Sequence, residues 1–146
     1  ICEEIDLCDV DFHVRAVELL ERNEAELVIG SKLVGGAADE RPRFRHAASV
    51  LYGGLLRVLL GFEGTDTHGL KAFRREAMVD LVRACVVDRD VFASELVIRA
   101  YRAHRRVLEI PVRVMEKRPP SIALLRRVPS VVHNLARLRR ALRSGG

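Results

Sequence analysis

At 146 residues, 49% of them hydrophobic and 31% charged, the chain can bury a core within one domain and has the composition of neither a disordered segment nor a membrane-spanning bundle. Aromatic residues make up only 5% and tryptophan is absent, which argues against a stacking platform for single-stranded nucleic acid, so no nucleic-acid partner is expected. The net charge of +5 is unevenly placed: from Lys117 onward stand eight basic residues and no acid, against 17 basic and 20 acidic residues before it, so an anionic surface would be met by the tail.

The first twelve residues set Glu3, Glu4, Asp6, Asp9 and Asp11 among Ile1, Ile5, Leu7 and Val10. Carboxylates this close together after an extended segment could hold a hard divalent cation; alternatively Asp9 or Asp11 caps the next helix and the others are solvated. The chain opens without methionine and without a basic-then-apolar leader, which predicts no signal peptide and an upstream half before Ile1. Val14, Val17, Leu19 and Leu20 predict a helix to about Asn23, and Leu27-Val28-Ile29 a short buried strand. That strand stops at Gly30-Ser31-Lys32 and opens into Gly35-Gly36, presenting a lysine and free backbone amides at a strand's carboxyl end, where open α/β sheets take ligands. The glycine spacing is not that of a Walker loop, and a solvated lysine at a turn is the plain alternative.

Pro42 opens a helix running to Leu60, with Phe44, Ala47, Ala48, Leu51, Leu55, Val58 and Leu59 as its expected core face. Arg41, Arg43, Arg45 and His46 crowd its amino end against the helix dipole, a cluster suited to a phosphate or lipid headgroup or simply to a solvated surface. The richest apolar stretch, Ala47 to Leu60, is interrupted by Gly53, Gly54 and Arg57, so nothing approaches the roughly 20 apolar residues of a spanning helix.

The stretch Gly61 to Glu76 then crowds Asp66, Thr67 and His68 between Gly64 and Gly69, ahead of Lys71, Arg74 and Arg75. It reads as a loop feeding an edge strand from Leu70, its glycines allowing sharp turns or the close approach of a ligand. An acid, a hydroxyl and several cations within one reach suit an anionic substrate; a glycine-bounded connection with a basic exit is the alternative. A short helix follows through Ala77, Leu81, Val82 and Cys85, and Val91 to Leu96 leads into a second through Val97, Ile98, Ala100 and Tyr101. Glu95 stands at its apolar start, where desolvation would raise its pKa unless a cation sits nearby, or where it serves the helix dipole after a Ser94 cap. Cys2, Cys8 and Cys85 lack metal-type spacing and are expected as free, mostly buried thiols of a reducing compartment.

Val107 to Met115 alternates as a strand in which Pro111 suggests an edge or a bulge. After the basic hinge Glu116 to Ser121, a last helix carries Leu124, Val128, Val131, Leu135, Leu138 and Leu142 on one face, with Pro129 kinking or restarting it. Its leucines pack on the domain, on a second copy as a homo-oligomer, or on an anionic bilayer.

Taken together, Leu27 to Lys32 (LVIGSK), Gly64 to Arg75 (GTDTHGLKAFRR), Phe92 to Ala100 (FASELVIRA), Glu109 to Val112 (EIPV) and Glu116 to Ser121 (EKRPPS) resemble the second half of a family 2 glycosyltransferase, in the dolichol-phosphate mannosyltransferase and polyprenyl-phosphate glycosyltransferase branch. The resemblance implies an α/β fold, the carboxyl-terminal portion of a GT-A (nucleotide-diphospho-sugar transferase) domain. Residues 1–116 would form the partial GT-A domain, a mixed sheet flanked by helices without its amino-terminal nucleotide-binding strands, and 117–146 a basic hinge and amphipathic helix. It implies a nucleotide-sugar donor, a divalent metal (Mg or Mn), and inverting transfer to a polyprenyl phosphate, with the protein cytoplasmic and peripheral at the membrane. The fragment alone would be inactive.

By the same resemblance, Lys32 stands where the family has arginine after Gly-Ser, neutralising a diphosphate beside Ser31 without the bidentate fork. Asp66 lines the donor and acceptor site, Glu95 matches the acid of the helix start, and Lys117 or Arg118 grips a phosphate. Arg45, Ser49, Thr67 and Lys71 complete the candidate substrate contacts. The family's Asp-x-Asp metal motif falls by spacing on Glu4-Ile5-Asp6, altered or degenerate, rather than on Asp9-Val10-Asp11. A non-catalytic basic binding module and a glycosyltransferase with a soluble acceptor are the competing readings.

Overall fold

The computed structural model describes residues 10–35, 37–39, 43–87, 91–114 and 124–144. Helix α1 (Val10–Glu21) leads to strand β1 (Leu27–Ser31), a short β2 (Ala38–Asp39) and the long α2 (Arg43–Leu60). Strand β3 (Lys71–Phe73), α3 (Arg75–Ala84), α4 (Phe92–Arg102), β4 (Val107–Pro111), β5 (Arg113–Val114) and α5 (Leu124–Ser144) complete the order. The main sheet runs β3-β1-β4, with β1 antiparallel to β3 and parallel to β4; β2 and β5 form a separate parallel pair. The mixed sheet flanked by helices is the α/β class the sequence predicts, and it is compatible with part of a glycosyltransferase fold.

Alternation along β1 sends successive side chains to opposite faces, and both faces are covered. Val28 packs with Phe12, Ala16, Ala25 and Val112 beneath α1. Leu27 and Ile29 pack on the other face with Leu56 and Leu60 of α2, Met78 of α3, Val97 of α4 and Leu135, Leu138 and Leu142 of α5. All five residues of β1 are buried, and Gly30 belongs there because a Cβ would press on Val112 and Phe12 at 2.6 and 3.1 Å.

The structure corrects the expected helix faces. Helix α1 begins at Val10 and turns Phe12 and Ala16 inward, leaving Val14 and Val17 at 56% and 49% exposure. On α2 most of the face expected in the core looks outward: Phe44, Leu51, Leu55 and Val58 are exposed, Leu59 alone of its large residues packs against the core, and Leu56 and Leu60 are the buried pair. Leu135, Leu138 and Leu142 of α5 pack on the chain's own core, and its helix runs through Pro129 without interruption. Pro111 ends β4, and beyond it the chain leaves the main sheet to pair β5 with β2.

The amino end of β1 is tied by charge and amide contacts, and Asn23, Glu26, Arg74, Glu76, Ala77 and Arg106 line a cavity there. Asn23, with φ 58°, closes α1 and accepts hydrogen bonds at 2.7 Å from both Arg74 and Arg106, whose neighbour Arg105 lies 3.5 Å from Glu26. The carboxyl end of β1 is the end at which open α/β sheets take ligands.

Candidate functional site

Strand β1 ends at Ser31, so Lys32 leaves the sheet at its rim. The loop between α2 and β3 is laid across this end because Gly69 has no side chain: a Cβ there would collide with the carbonyl oxygen of Gly30, while the Gly30 amide donates to Leu70 O at 2.8 Å. Gly64 fits for the same reason, its Cα pressed against the Glu109 carboxylate and the Phe62 ring. The two glycines therefore serve close approach of the protein to itself rather than of a ligand, and of the loop glycines only Gly61 has a positive φ, 66°.

This packing brings Asp66 and Lys32 together. Lys32 Nζ lies 3.5 Å from Asp66 Oδ2, and the two residues are 8% and 5% exposed. Asp66 Oδ1 accepts the His68 amide at 2.9 Å, a tight Asx turn, whereas Oδ2 has no hydrogen-bond partner. Burial pushes the Asp66 carboxyl upward, but the Lys32 charge, the His68 amide and charge, and the Lys32 amide outweigh it and hold the group below its ordinary value. Asp66 is thus a carboxylate at neutral pH, poised beside a cation in a nearly dry setting.

A polar chain fixes the strand end. Glu109, on β4, accepts the Thr65 amide at 2.8 Å on Oε1, the Tyr101 hydroxyl at 3.2 Å on the same oxygen, and the Thr65 hydroxyl on Oε2. A carboxylate can only accept, so the Thr65 hydroxyl donates to it. Thr65 Oγ1 then accepts from Ser31 Oγ at 2.7 Å, and Ser31 Oγ accepts the amides of Leu33 and Val34 at 3.1 and 3.2 Å. The amides expected to be free for a phosphate at this strand end are consequently occupied by Ser31, and Lys32 carries the positive charge of the rim. Burial first, then the Glu109 charge, pushes the Tyr101 phenol well above its usual range.

The other sequence-predicted residues fall in several places. Thr67 is buried and turned inward, bonded to Ser94 Oγ at 2.8 Å and His68 Nδ1 at 3.1 Å, with Tyr52 reaching Ser94 at 3.0 Å. Ser94 therefore joins the loop to α2 rather than capping α4, whose N-cap is Val91. Lys71 Nζ donates back to Gly69 O at 2.8 Å. Glu95 is fully buried and accepts the Val86 and Val87 amides at 2.9 and 2.8 Å and Arg99 Nε at 2.8 Å, so the cation its position calls for is present and its oxygens hold the turn after α3. Ser49 is half-buried on α2; Arg45 lies on that helix, its side chain outside the described residues. Glu4, Asp6, Lys117 and Arg118, with Cys2 and Cys8, also lie outside them; Cys85 is a half-buried free thiol raised to about 11, first by burial and then by the Glu95 charge.

Sequence reasoning placed Glu109 inside a motif without giving it a task, and missed Thr65, Tyr52 and Tyr101. The readable signal was the Gly64-Thr65 pair directly before Asp66; the partner on β4 is 44 residues away and only parallel pairing of β1 with β4 brings it near.

Over 112 residues the chain is 36% identical to Glycosyltransferase AglD of Haloferax volcanii. This chain is homologous to part of a glycosyltransferase. The match covers 75% of the chain but 18% of that relative's length. No protein-family description matches the chain, and no solved structure does either.

Proposed function

We propose that this chain is the carboxyl-terminal part of a GT-A glycosyltransferase domain that moves a sugar, with inversion, from a nucleotide-sugar donor to a polyprenyl phosphate at the cytoplasmic face of a membrane. The observation that carries the reading is the buried Lys32–Asp66 pair at the carboxyl end of β1, joined to a sequence likeness to a glycosyltransferase. In the step, an oxygen of the lipid phosphate forms a bond to the anomeric carbon as the bond from that carbon to the donor's diphosphate oxygen breaks. The electron pair departs with the nucleoside diphosphate. A phosphate nucleophile is already anionic and needs no base, so Asp66 serves to aim Lys32 and a sugar hydroxyl, and Lys32 meets charge on the diphosphate. Lys117 or Arg118 would supply a second cation for donor or lipid phosphate.

A divalent ion such as Mg or Mn would neutralise the departing diphosphate when bound. Its ligands by the sequence reading, Glu4 and Asp6, are outside the described residues, and among the described residues no group of three His, Cys, Asp or Glu side chains gathers to hold one.

The test is binding of labelled nucleotide sugars to the full-length gene product in Mg or Mn and in chelator, followed by transfer to polyprenyl phosphate with organic extraction of the product. Metal-dependent binding that Lys32→Met abolishes, and product in the organic phase, are expected. Product remaining in water would point to a soluble acceptor; no donor binding would refute the transferase reading.

A further inference from the structure

Helix α2 carries apolar residues on two faces, and only one of them is used by the fold. Tyr52, Leu56 and Leu60 pack into the core, while Phe44, Leu51, Leu55 and Val58 stand 54%, 76%, 40% and 84% exposed. Their steps of seven, four and three residues keep them on one stripe of the helix. At 1.5 Å per residue the stripe is about 21 Å long, an uncovered apolar surface of the kind that marks an interaction site.

We infer that this outer face of α2 docks on an anionic lipid bilayer, seating the Lys32–Asp66 pair one helix away from the headgroups. Charge selects the occupant. Helix α2 has no acidic residue in its 18 positions; exposed Arg43 stands at its amino end, and exposed Arg57, which also donates to the Gly64 carbonyl at 3.2 Å, stands near its carboxyl end. A second copy laid antiparallel on the stripe would set Arg43 against Arg57, and laid parallel would set each arginine against itself, so like charges meet either way. An anionic interface pairs with both arginines while accepting the four apolar side chains.

Helix α5 is the other candidate for the bilayer, and among its described side chains Val132 is the exposed large apolar one. Leu135, Leu138 and Leu142 lie in the core, and exposed Arg137, Arg139 and Arg143 can add attraction. The inner face of α2 in turn reaches the site loop: Tyr52 bonds Ser94, the partner of Thr67, and a Cβ on Gly53 would lie 3.6 Å from the Thr65 carbonyl. One helix, roughly 10 Å across, therefore separates the stripe from the loop that holds Asp66. The docking itself stands on the surface of α2; its use, delivering the phosphate of a lipid acceptor to Lys32, rests on the function proposed above.

The test is co-sedimentation of the 146-residue chain with phosphatidylglycerol–phosphatidylcholine vesicles and with phosphatidylcholine alone. Leu51→Glu/Val58→Glu, two solvent-facing changes whose folding is checked by circular dichroism, and Arg137→Gln/Arg139→Gln on α5 are compared with the wild type. Expected are binding to anionic vesicles, at least about a tenfold loss in the α2 variant, and a smaller loss in the α5 variant. Wild-type protein that stays in the supernatant, an α2 variant that binds undiminished, or a wild-type dimer that the α2 variant turns into a monomer would each overturn the assignment. Vesicle binding without nucleotide-sugar binding by the full-length protein would refute the transferase reading and leave the docking face standing.

Discussion

The Lys32–Asp66 pair offers the most direct measurement of the site. At 3.5 Å two unit charges attract by about 5 kcal/mol at an effective dielectric constant of about 20, and desolvation of both groups takes back much of this. Removing one partner leaves the other charge nearly buried, a change that costs about 3–5 kcal/mol. Asp66→Asn keeps an oxygen for the His68 amide, so its effect is loss of charge, and the 8% exposure of Lys32 allows some relief by water. We therefore expect about 3 kcal/mol from Asp66→Asn and about the same from Lys32→Met, whose Asp66 Oδ2 has no other hydrogen-bond partner. The double variant carries no buried charge and should lose about 3 kcal/mol rather than about 6, a coupling of about 3 kcal/mol. Urea unfolding followed by circular dichroism measures all four proteins, and each single variant should melt about 6–12 °C lower. Losses that add to within about 0.5 kcal/mol would mean that the pair does not interact, and the site would lose its central contact.

The same pair sets an acid limit on the fold. Because Asp66 is held below its ordinary value, the unfolded chain takes up the proton first as pH falls; the contribution is complete above about pH 4 and drains away as pH drops through the lowered folded value. The stability gap between wild type and Asp66→Asn should close in that range, and a gap unchanged down to about pH 2 would contradict the assignment. Gly69→Ala drives a Cβ into the Gly30 carbonyl, backbone against backbone, and should cost about 3 kcal/mol or more and displace the loop; a variant as stable as wild type, with the Asp66 to His68 amide shifts unmoved, would show that the loop is not held there. Glu95→Ala strips acceptors from two amides and Arg99 and should cost about 3 kcal/mol with faster hydrogen exchange at Val86 and Val87. Full stability with transfer abolished would instead make Glu95 a catalytic group.

What the sequence made legible follows from whether a single physical demand acted on each segment. The five residues of β1 are apolar or small and buried on both sides, so any reading of Leu27 to Ser31 yields a central strand. Leu135, Leu138 and Leu142 are the only large apolar residues on their stretch of α5 and had one way to face. Helix α2 answers to two demands at once. Its 18 residues hold enough leucine and valine for two stripes, and periodicity finds the stripe of Phe44, Leu51, Leu55 and Val58 without revealing that Leu56 and Leu60 own the core. In α1 the bulk of Phe12 outweighs Val14 and Val17, but Phe12 sits so near an acidic run that the pattern places the helix start too late.

The site divides along the same line. Asp66 could be read from its loop because short-range chemistry put an acid between two glycines, and Lys32 because a strand that ends in Gly-Ser must leave its next residue at the rim. Their meeting, by contrast, depends on Gly69 lying against Gly30, a contact between residues 39 positions apart in sequence that no local pattern encodes. Glu109 is further removed still: it touches neither charge, yet by accepting the amide and hydroxyl of Thr65 it fixes which way the Thr65 and Ser31 hydroxyls point, and through them which amides remain for a ligand. Ser31 consumes the Leu33 and Val34 amides, so these two are not available to a phosphate as part of a nest of backbone donors. On the function proposed above, recognition of a phosphate at this rim would run through the Lys32 side chain, whose position is set by the Asp66 carboxylate 3.5 Å away.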